Sequence, residues 1–256
     1  MDIRFLGAHN CETSTIKLVT LLIDDTLAID AGALTSSLSI EAQLRLKAVL
    51  LTHQHYDHIR DIPAIAMNAL FYETDIHVYS TKAVQEALAT HWLNGTTYAN
   101  FLEKPEGNPR IKFTIIEPNQ AFQIDAYKIL AVPVNHSVPT VGYQITSPDG
   151  KVFFYTADTG PGLAECWQYV SPQLLITEVT APNRYEAFGR KSLHLTPNLL
   201  KDELISFQKL KGYLPPVVLV HMNPRQEKEI ESEIAALAEE LGTGITLAYE
   251  GLQINL

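Results

Sequence analysis

The segment His53-Gln54-His55-Tyr56-Asp57-His58 puts four metal-ligating side chains into six residues. Imidazole nitrogen and carboxylate oxygen are the donors that zinc and related divalent ions take. Residues 48–51, just upstream, form a short continuous apolar run, which predicts a strand buried on both faces. With the backbone still extended past Thr52, His53 and His55 point to the same side. A turn into a helix after Asp57 then brings Asp57 and His58 around a second ion. Two ions about 3.5–4 Å apart hold a shared hydroxide and grip a substrate oxygen as it gains charge. Zinc lowers the pKa of bound water toward about 7, giving a nucleophile at neutral pH. The competing reading is a polar turn that is rich in histidine by accident. Four donors at a strand-to-loop junction weigh against it.

An alternation of strand-like and helix-like runs must position this loop. Residues 16–23 and 26–29 are β-rich and are divided by Asp24-Asp25, which reads as a hairpin turn. The middle of the chain is richer in strands, at 113–116, 128–134, 141–146 and 152–156, with Pro148-Asp149-Gly150 as turn chemistry between the last two. Residues 62–71 and 82–93 read as helices, the second with Thr81 as N-cap and Gly95 beyond its end. The last third repeats strand then helix: 174–177, 196–210, 217–220 and 224–241. Both of these helices open with a capping residue and a proline, Thr196-Pro197 and Asn223-Pro224, and close near Gly212 and Gly242. Sheets covered by helices, an α/β or α+β sandwich, are the expected architecture.

Composition narrows the function classes. The 256 residues carry 19 Lys+Arg against 29 Asp+Glu, a formal net charge of −10, which argues against a chain that coats a polyanion. A 46% hydrophobic fraction excludes general disorder. No apolar run reaches the roughly 18–20 residues that span a bilayer, and Asp2 and Arg4 precede the first short apolar run, unlike a signal peptide. Cys11 and Cys166 make no CxxC pair and suggest no disulfide framework. A single domain over 1–256, soluble and cytoplasmic, is expected, with no membrane partner.

The His53-x-His55-x-Asp57-His58 motif after an apolar strand resembles the signature of the metallo-β-lactamase superfamily, and the resemblance runs along nearly the whole chain. Leu27-Ala28-Ile29-Asp30-Ala31-Gly32 is similar to the family's strand ending in Asp-x-Gly, whose Asp supports the site. Asn135-His136, Tyr155-Thr156-Ala157-Asp158-Thr159-Gly160 and Val220-His221-Met222-Asn223-Pro224 are similar to the later ligand positions. The resemblance implies a four-layer αββα sandwich with two divalent ions, zinc first and manganese as the alternative. One ion would be held by His53, His55 and His136, and the other by Asp57, His58 and His221. Asp158 would bridge the two, and Asp30 would be structural support. His at position 55, where the di-iron oxygen-reducing branch typically has Glu, favours hydrolysis over redox chemistry. Of the other histidines, His77 and His91 read as structural, and His9, in the loop after the first strand, is left open.

Two more segments point to a branch. Glu178 and His194 match a glutamate and a histidine of ribonuclease Z and its phosphodiesterase relatives, where the acid orients the histidine and the histidine assists the leaving oxygen. A leaving alkoxide needs a proton or a Lewis acid, so the pair makes chemical sense. Thr196 reads as a cap only. The long arm that many ribonuclease Z enzymes use to grip tRNA has no room between His136 and Asp158, which are joined by two strands and a turn. The irregular stretch within 94–112 has only Lys104, Arg110 and Lys112 as basic residues. A small or cyclic phosphodiester is therefore the expected substrate, cut by a hydroxide held between two zinc ions with Asp57, His194 and Glu178 as catalytic residues. Nucleic acid is disfavoured as the main substrate. Arg184, Arg190 and Lys191, in the loop between Glu178 and His194, are candidate phosphate contacts. Rivals are a carboxylic-ester, lactone or thioester hydrolase, a tRNA 3′-processing endonuclease without the usual arm, and a metal-stabilised binding module. A homodimer rests on analogy with relatives alone.

Overall fold

The computed structural model describes residues 1–256, and its backbone contacts divide them into two compact units. Unit 1 comprises residues 1–7, 14–117 and 250–255; unit 2 comprises 8–13, 118–249 and 256. The strands are β1 (Asp2–Gly7), β2 (Thr20–Ile23), β3 (Leu27–Ile29), β4 (Ala48–Leu50), β5 (Ile76–Ser80), β6 (Ile111–Ile115), β7 (Ala121–Ile124), β8 (Tyr127–Val134), β9 (Thr140–Thr146), β10 (Val152–Tyr155), β11 (Leu174–Glu178), β12 (Val217–Val220), β13 (Ile245–Leu247) and β14 (Gln253–Asn255).

Unit 1 holds a seven-stranded sheet in the order β14-β1-β2-β3-β4-β5-β6. Its first three pairings are antiparallel and its last three parallel. Asp24 and Asp25, both left-handed with φ of 44° and 55°, make the β2–β3 turn, which Thr26 N closes by donating to Ile23 O at 3.0 Å. The helix Ile62–Phe71 buries Ile62, Ile65 and Ala66 in a core that also holds Val49, Leu51 and Val78.

Unit 2 holds a second seven-stranded sheet, ordered β13-β12-β11-β10-β9-β8-β7, again with three parallel and three antiparallel pairings. The helices Pro197–Lys211 and Glu227–Leu241 bury one apolar face each. The largest core side chain, Trp167, is packed edge-on between Phe154 (6.2 Å) and Phe207 (5.3 Å). Each unit is thus one mixed sheet with helices against it, the components that an α/β sandwich requires.

Several local expectations change. The helix expected from Asn223-Pro224 starts at Glu227, because the Asn223 side chain accepts from Arg225 N at 3.0 Å and its carbonyl from Gln226 N at 2.9 Å, closing a turn first. Thr81 and Thr196 occupy N-cap positions without a side-chain capping bond. The helix over 82–93 is α-helical only through Ala87 and continues as a π turn at Leu88–Trp92. Residues 16–19 lie outside β2, and β6 begins at Ile111 rather than at 113. The supposed loop after Glu178 contains a 3₁₀ turn, Asn183–Tyr185, and the helix Glu186–Ser192.

Cys11 is exposed and Cys166 is buried, and burial, with Glu203 nearby, pushes the Cys166 thiol up to about 12. A thiolate-specific disulfide reagent at pH 8 is expected to titrate one thiol per native chain and two in denaturant. Two fast-reacting native thiols would contradict the packing around Cys166.

Candidate functional site

In unit 1 the strands β3 and β4 run parallel, so their carboxyl ends lie side by side, the usual place for a site on such a sheet. Asp30 follows β3 in a left-handed conformation (φ 61°) and is fully buried. It accepts from Thr52 N at 2.9 Å, from the Thr52 hydroxyl at 3.0 and 3.1 Å, and from His58 Nδ1 at 2.8 Å. Thr52 Oγ1 also meets His53 Nδ1 at 3.0 Å. The His53 ring lies 4.6 Å from that of His55 and 4.2 Å from that of His58, and His58 Nε2 is 3.5 Å from Asp57 Oδ2. The His58 carbonyl accepts from Ala31 N, which ties the ligand turn to the Asp30 segment. Gly32 permits this: a Cβ there would stand 2.3 Å from the Asp57 carbonyl oxygen.

In unit 2 the strands β8, β10, β11 and β12 all run the same way, because β9 is antiparallel to both of its neighbours. His136, Asp158, Glu178 and His221 all sit at the carboxyl ends of these strands. His136 Nδ1 donates to the Leu193 carbonyl at 3.0 Å, and burial pushes this imidazole below its ordinary pKa against the opposing pull of Asp158. Asp158 is buried, with Oδ2 3.2 Å from His221 Nε2. His221 has φ 64°, and its backbone N donates to Ala8 O at 2.6 Å. Glu178 is fully buried and accepts four bonds: Thr159 N (2.9 Å) and His194 Nδ1 (2.7 Å) on one oxygen, the Thr180 hydroxyl (2.7 Å) and Leu195 N (3.2 Å) on the other. Thr180 Oγ1 also meets His221 Nδ1 at 2.8 Å. The rings of His194 and His221 stack at 5.2 Å with 12° between planes, and His136 stands edge-on to His194 at 5.1 Å.

A model of the β-lactamase superfamily domain matches residues 24–245, most of the chain. The chain belongs to this superfamily. A ribonuclease Z of Streptococcus suis (strain 98HAH33) is 26% identical over 165 residues, 58% of this chain and 51% of that protein. The chain therefore spans about half the length of the curated relatives it matches. Among solved structures, unliganded yeast PDE1 superposes with a TM-score of 0.84 at 17% identity, covering 100% of this chain and 99% of that one. The metallo-β-lactamase fold protein YhfI from Bacillus subtilis gives 0.76 at 18% identity over 99% and 98%. These structures establish the metallo-β-lactamase fold.

The donor set fits divalent cations. His53, His58, His136 and His221 each have Nδ1 held by a neighbouring oxygen, which leaves Nε2 as the nitrogen that could meet a cation, the arrangement usual around metal-bound histidine. Glu178, His194 and His221 also bring ligand atoms within 4.8 Å of one another, but Glu178 already accepts from four donors and acts as support rather than as a ligand. Other expectations resolve differently. Arg184 pairs with Glu229 at 3.0 Å and Arg190 with Glu186 at 2.9 Å, so both have surface carboxylate partners. His9 is buried, with Nε2 3.6 Å from Glu227, and its backbone bridges to Met222 beside His221. His77 lies 3.3 Å from Asp75, and His91 is exposed on the π turn. Glu250, whose role the sequence did not reveal, accepts from Lys17 N at 2.8 Å. Sequence reasoning missed Thr52 and Thr180. Their only signal was a threonine directly before the first histidine of the HxHxDH motif and another two residues after a strand-end glutamate.

Asp30→Ala would leave Thr52 N and His58 Nδ1 buried without their acceptor. The expected loss is about 3–5 kcal/mol in urea unfolding. A loss under about 1 kcal/mol would show that Asp30 is not the support of this turn.

Proposed function

We propose that the chain is a metal-dependent phosphodiesterase for a small or cyclic phosphodiester, with 1–256 acting as one catalytic domain. The ligands would be His53, His55 and His136 for one ion and Asp57, His58 and His221 for the other, with Asp158 shared. Such paired cations, when bound, supply Lewis acidity and lower the pKa of water. Asp57 would accept a hydrogen bond from the attacking water and hold it in line. His194 would deliver a proton to the departing oxygen from Nε2, its Nδ1 being fixed on Glu178. The observation that carries this reading is the His194–Glu178 pair at 2.7 Å, with the acid fully buried and the histidine side chain 17% exposed. A buried acid holding an accessible histidine suits general acid catalysis.

The ribonuclease Z relatives favour a second reading, cleavage of precursor RNA. The basic residues of the 94–112 stretch support it poorly. Arg110 is buried and donates to Thr74 O at 3.0 Å, and Lys112 is paired with Asp75 at 2.6 Å. With a net charge of −10, little of this surface suits a polyanion.

The test is turnover of bis-p-nitrophenyl phosphate and of 2′,3′- and 3′,5′-cyclic nucleotides by Zn²⁺- or Mn²⁺-loaded protein. Activity is expected to vanish with a chelator and return with metal, and His194→Ala is expected to lower kcat by about 10²–10⁴. Turnover of carboxylic esters, lactones or thioesters that His194→Ala leaves intact would overturn the phosphodiester reading. Preference for precursor tRNA would favour the second one.

A further inference from the structure

The two units hold their histidines by the same construction. In unit 1 the Asp30 carboxylate meets His58 Nδ1 directly at 2.8 Å and reaches His53 Nδ1 through the Thr52 hydroxyl. In unit 2 the Glu178 carboxylate meets His194 Nδ1 directly at 2.7 Å and reaches His221 Nδ1 through the Thr180 hydroxyl. We propose that Thr52 and Thr180 are matched positioning residues, each of which relays one buried carboxylate to a second histidine and fixes its proton on Nδ1.

The argument is a count of protons. A carboxylate oxygen only accepts, and a hydroxyl has one hydrogen to give. The Thr180 hydrogen goes to Glu178 Oε2 at 2.7 Å, so toward His221 the same oxygen has only lone pairs, and His221 Nδ1 must bring the hydrogen. The Thr52 hydrogen lies between the two Asp30 oxygens, at 3.0 and 3.1 Å, so His53 Nδ1 must likewise be the donor. The opposite tautomer would turn each hydroxyl toward its ring and away from a charged acceptor, exchanging a charge-assisted bond for a neutral one about half as strong. The lone pair of each ring is thereby confined to Nε2, the atom that can face a cation. One acid in each unit thus sets two rings, one directly and one through a hydroxyl. His194 is bonded straight to the carboxylate, while His221 is one hydroxyl removed from it.

The inference rests on the reading of His53 and His221 as metal ligands, so its test has an arm without metal. In ¹⁵N-labelled full-length protein, long-range ¹H–¹⁵N spectra are expected to show His53 and His221 protonated at Nδ1 before any metal is added. Finding either on Nε2 overturns the proposal with no variant needed. Thr52→Val and Thr180→Val keep shape and remove the hydroxyl, and each is expected to weaken Zn²⁺ binding, read by competition with a chromophoric chelator, by about 10–100-fold. Thr52→Ser and Thr180→Ser are expected to stay within about threefold of the parent. Parent-like binding in the Val variants with a loss in the Ser variants would show that the methyl packing matters and not the hydroxyl, which also overturns it. A protein that binds no Zn²⁺ at all would sink the functional reading, while the tautomer measurement would still decide this inference.

Discussion

A neutral imidazole has one nitrogen that gives a hydrogen and one that offers a lone pair, and a cation site works only if the second kind faces the cation. Here that choice is made by two carboxylates that never need to touch an ion. Asp30 and Glu178 are each fully buried at the end of a strand, and each is surrounded by backbone, hydroxyl and imidazole donors. A buried charge is tolerable only when it is paired and hydrogen-bonded on all sides. The requirement works in both directions: the acid needs its donors, and the donors are thereby locked in orientation. The His53, His58, His194 and His221 rings inherit their directions from that exchange, and His136 gets the same service from the Leu193 carbonyl.

The backbone is bent to meet the demand. Asp30, Ala157 and His221 all have left-handed φ near 61–64° without being glycine. Such conformations cost of order 1–3 kcal/mol each and persist where the surroundings over-determine them. For Asp30 and His221 the surroundings are visible: Asp30 N donates to Leu50 O and His221 N to Ala8 O, so each turn is pinned before its side chain is used. Ala157 sits one residue before Asp158 at the end of β10 and re-aims the chain there. Strain at these junctions sets side-chain direction, while the strands behind them supply the rigidity.

Much of this was written locally and some was not. The HxHxDH loop is legible because ligand density is a property of adjacent residues, and residues 48–51 and 217–220 because an apolar run signals a strand with both faces covered. The helix 62–71 follows from its own side chains. What the sequence hides is whatever depends on distant partners. Thr52 and Thr180 look like ordinary strand-end threonines, since β-branching suits a strand whether or not the hydroxyl has a task. The four-residue, turn-flanked strand β7 and the three-residue strands β13 and β14 are too short to show a period; pairing with a neighbouring strand creates them. At Asn223-Pro224 the capping pattern was present, but the same asparagine also closes a turn, and the turn won. Family resemblance reached the later histidines, which composition and periodicity alone leave indistinguishable from structural ones.

In unit 1, β1 pairs with β14, and the Phe5 backbone exchanges bonds with Leu252 and Gly251. β1 therefore waits for a partner that lies at the other end of unit 1's sequence. At typical elongation rates of 5–20 residues per second the delay is roughly 12–50 s. Throughout it, β1 presents an unprotected row of amides and carbonyls along its open edge. Chains that stall short of residue 253 are the form most exposed to strand-to-strand association, because β1 is then still an open edge.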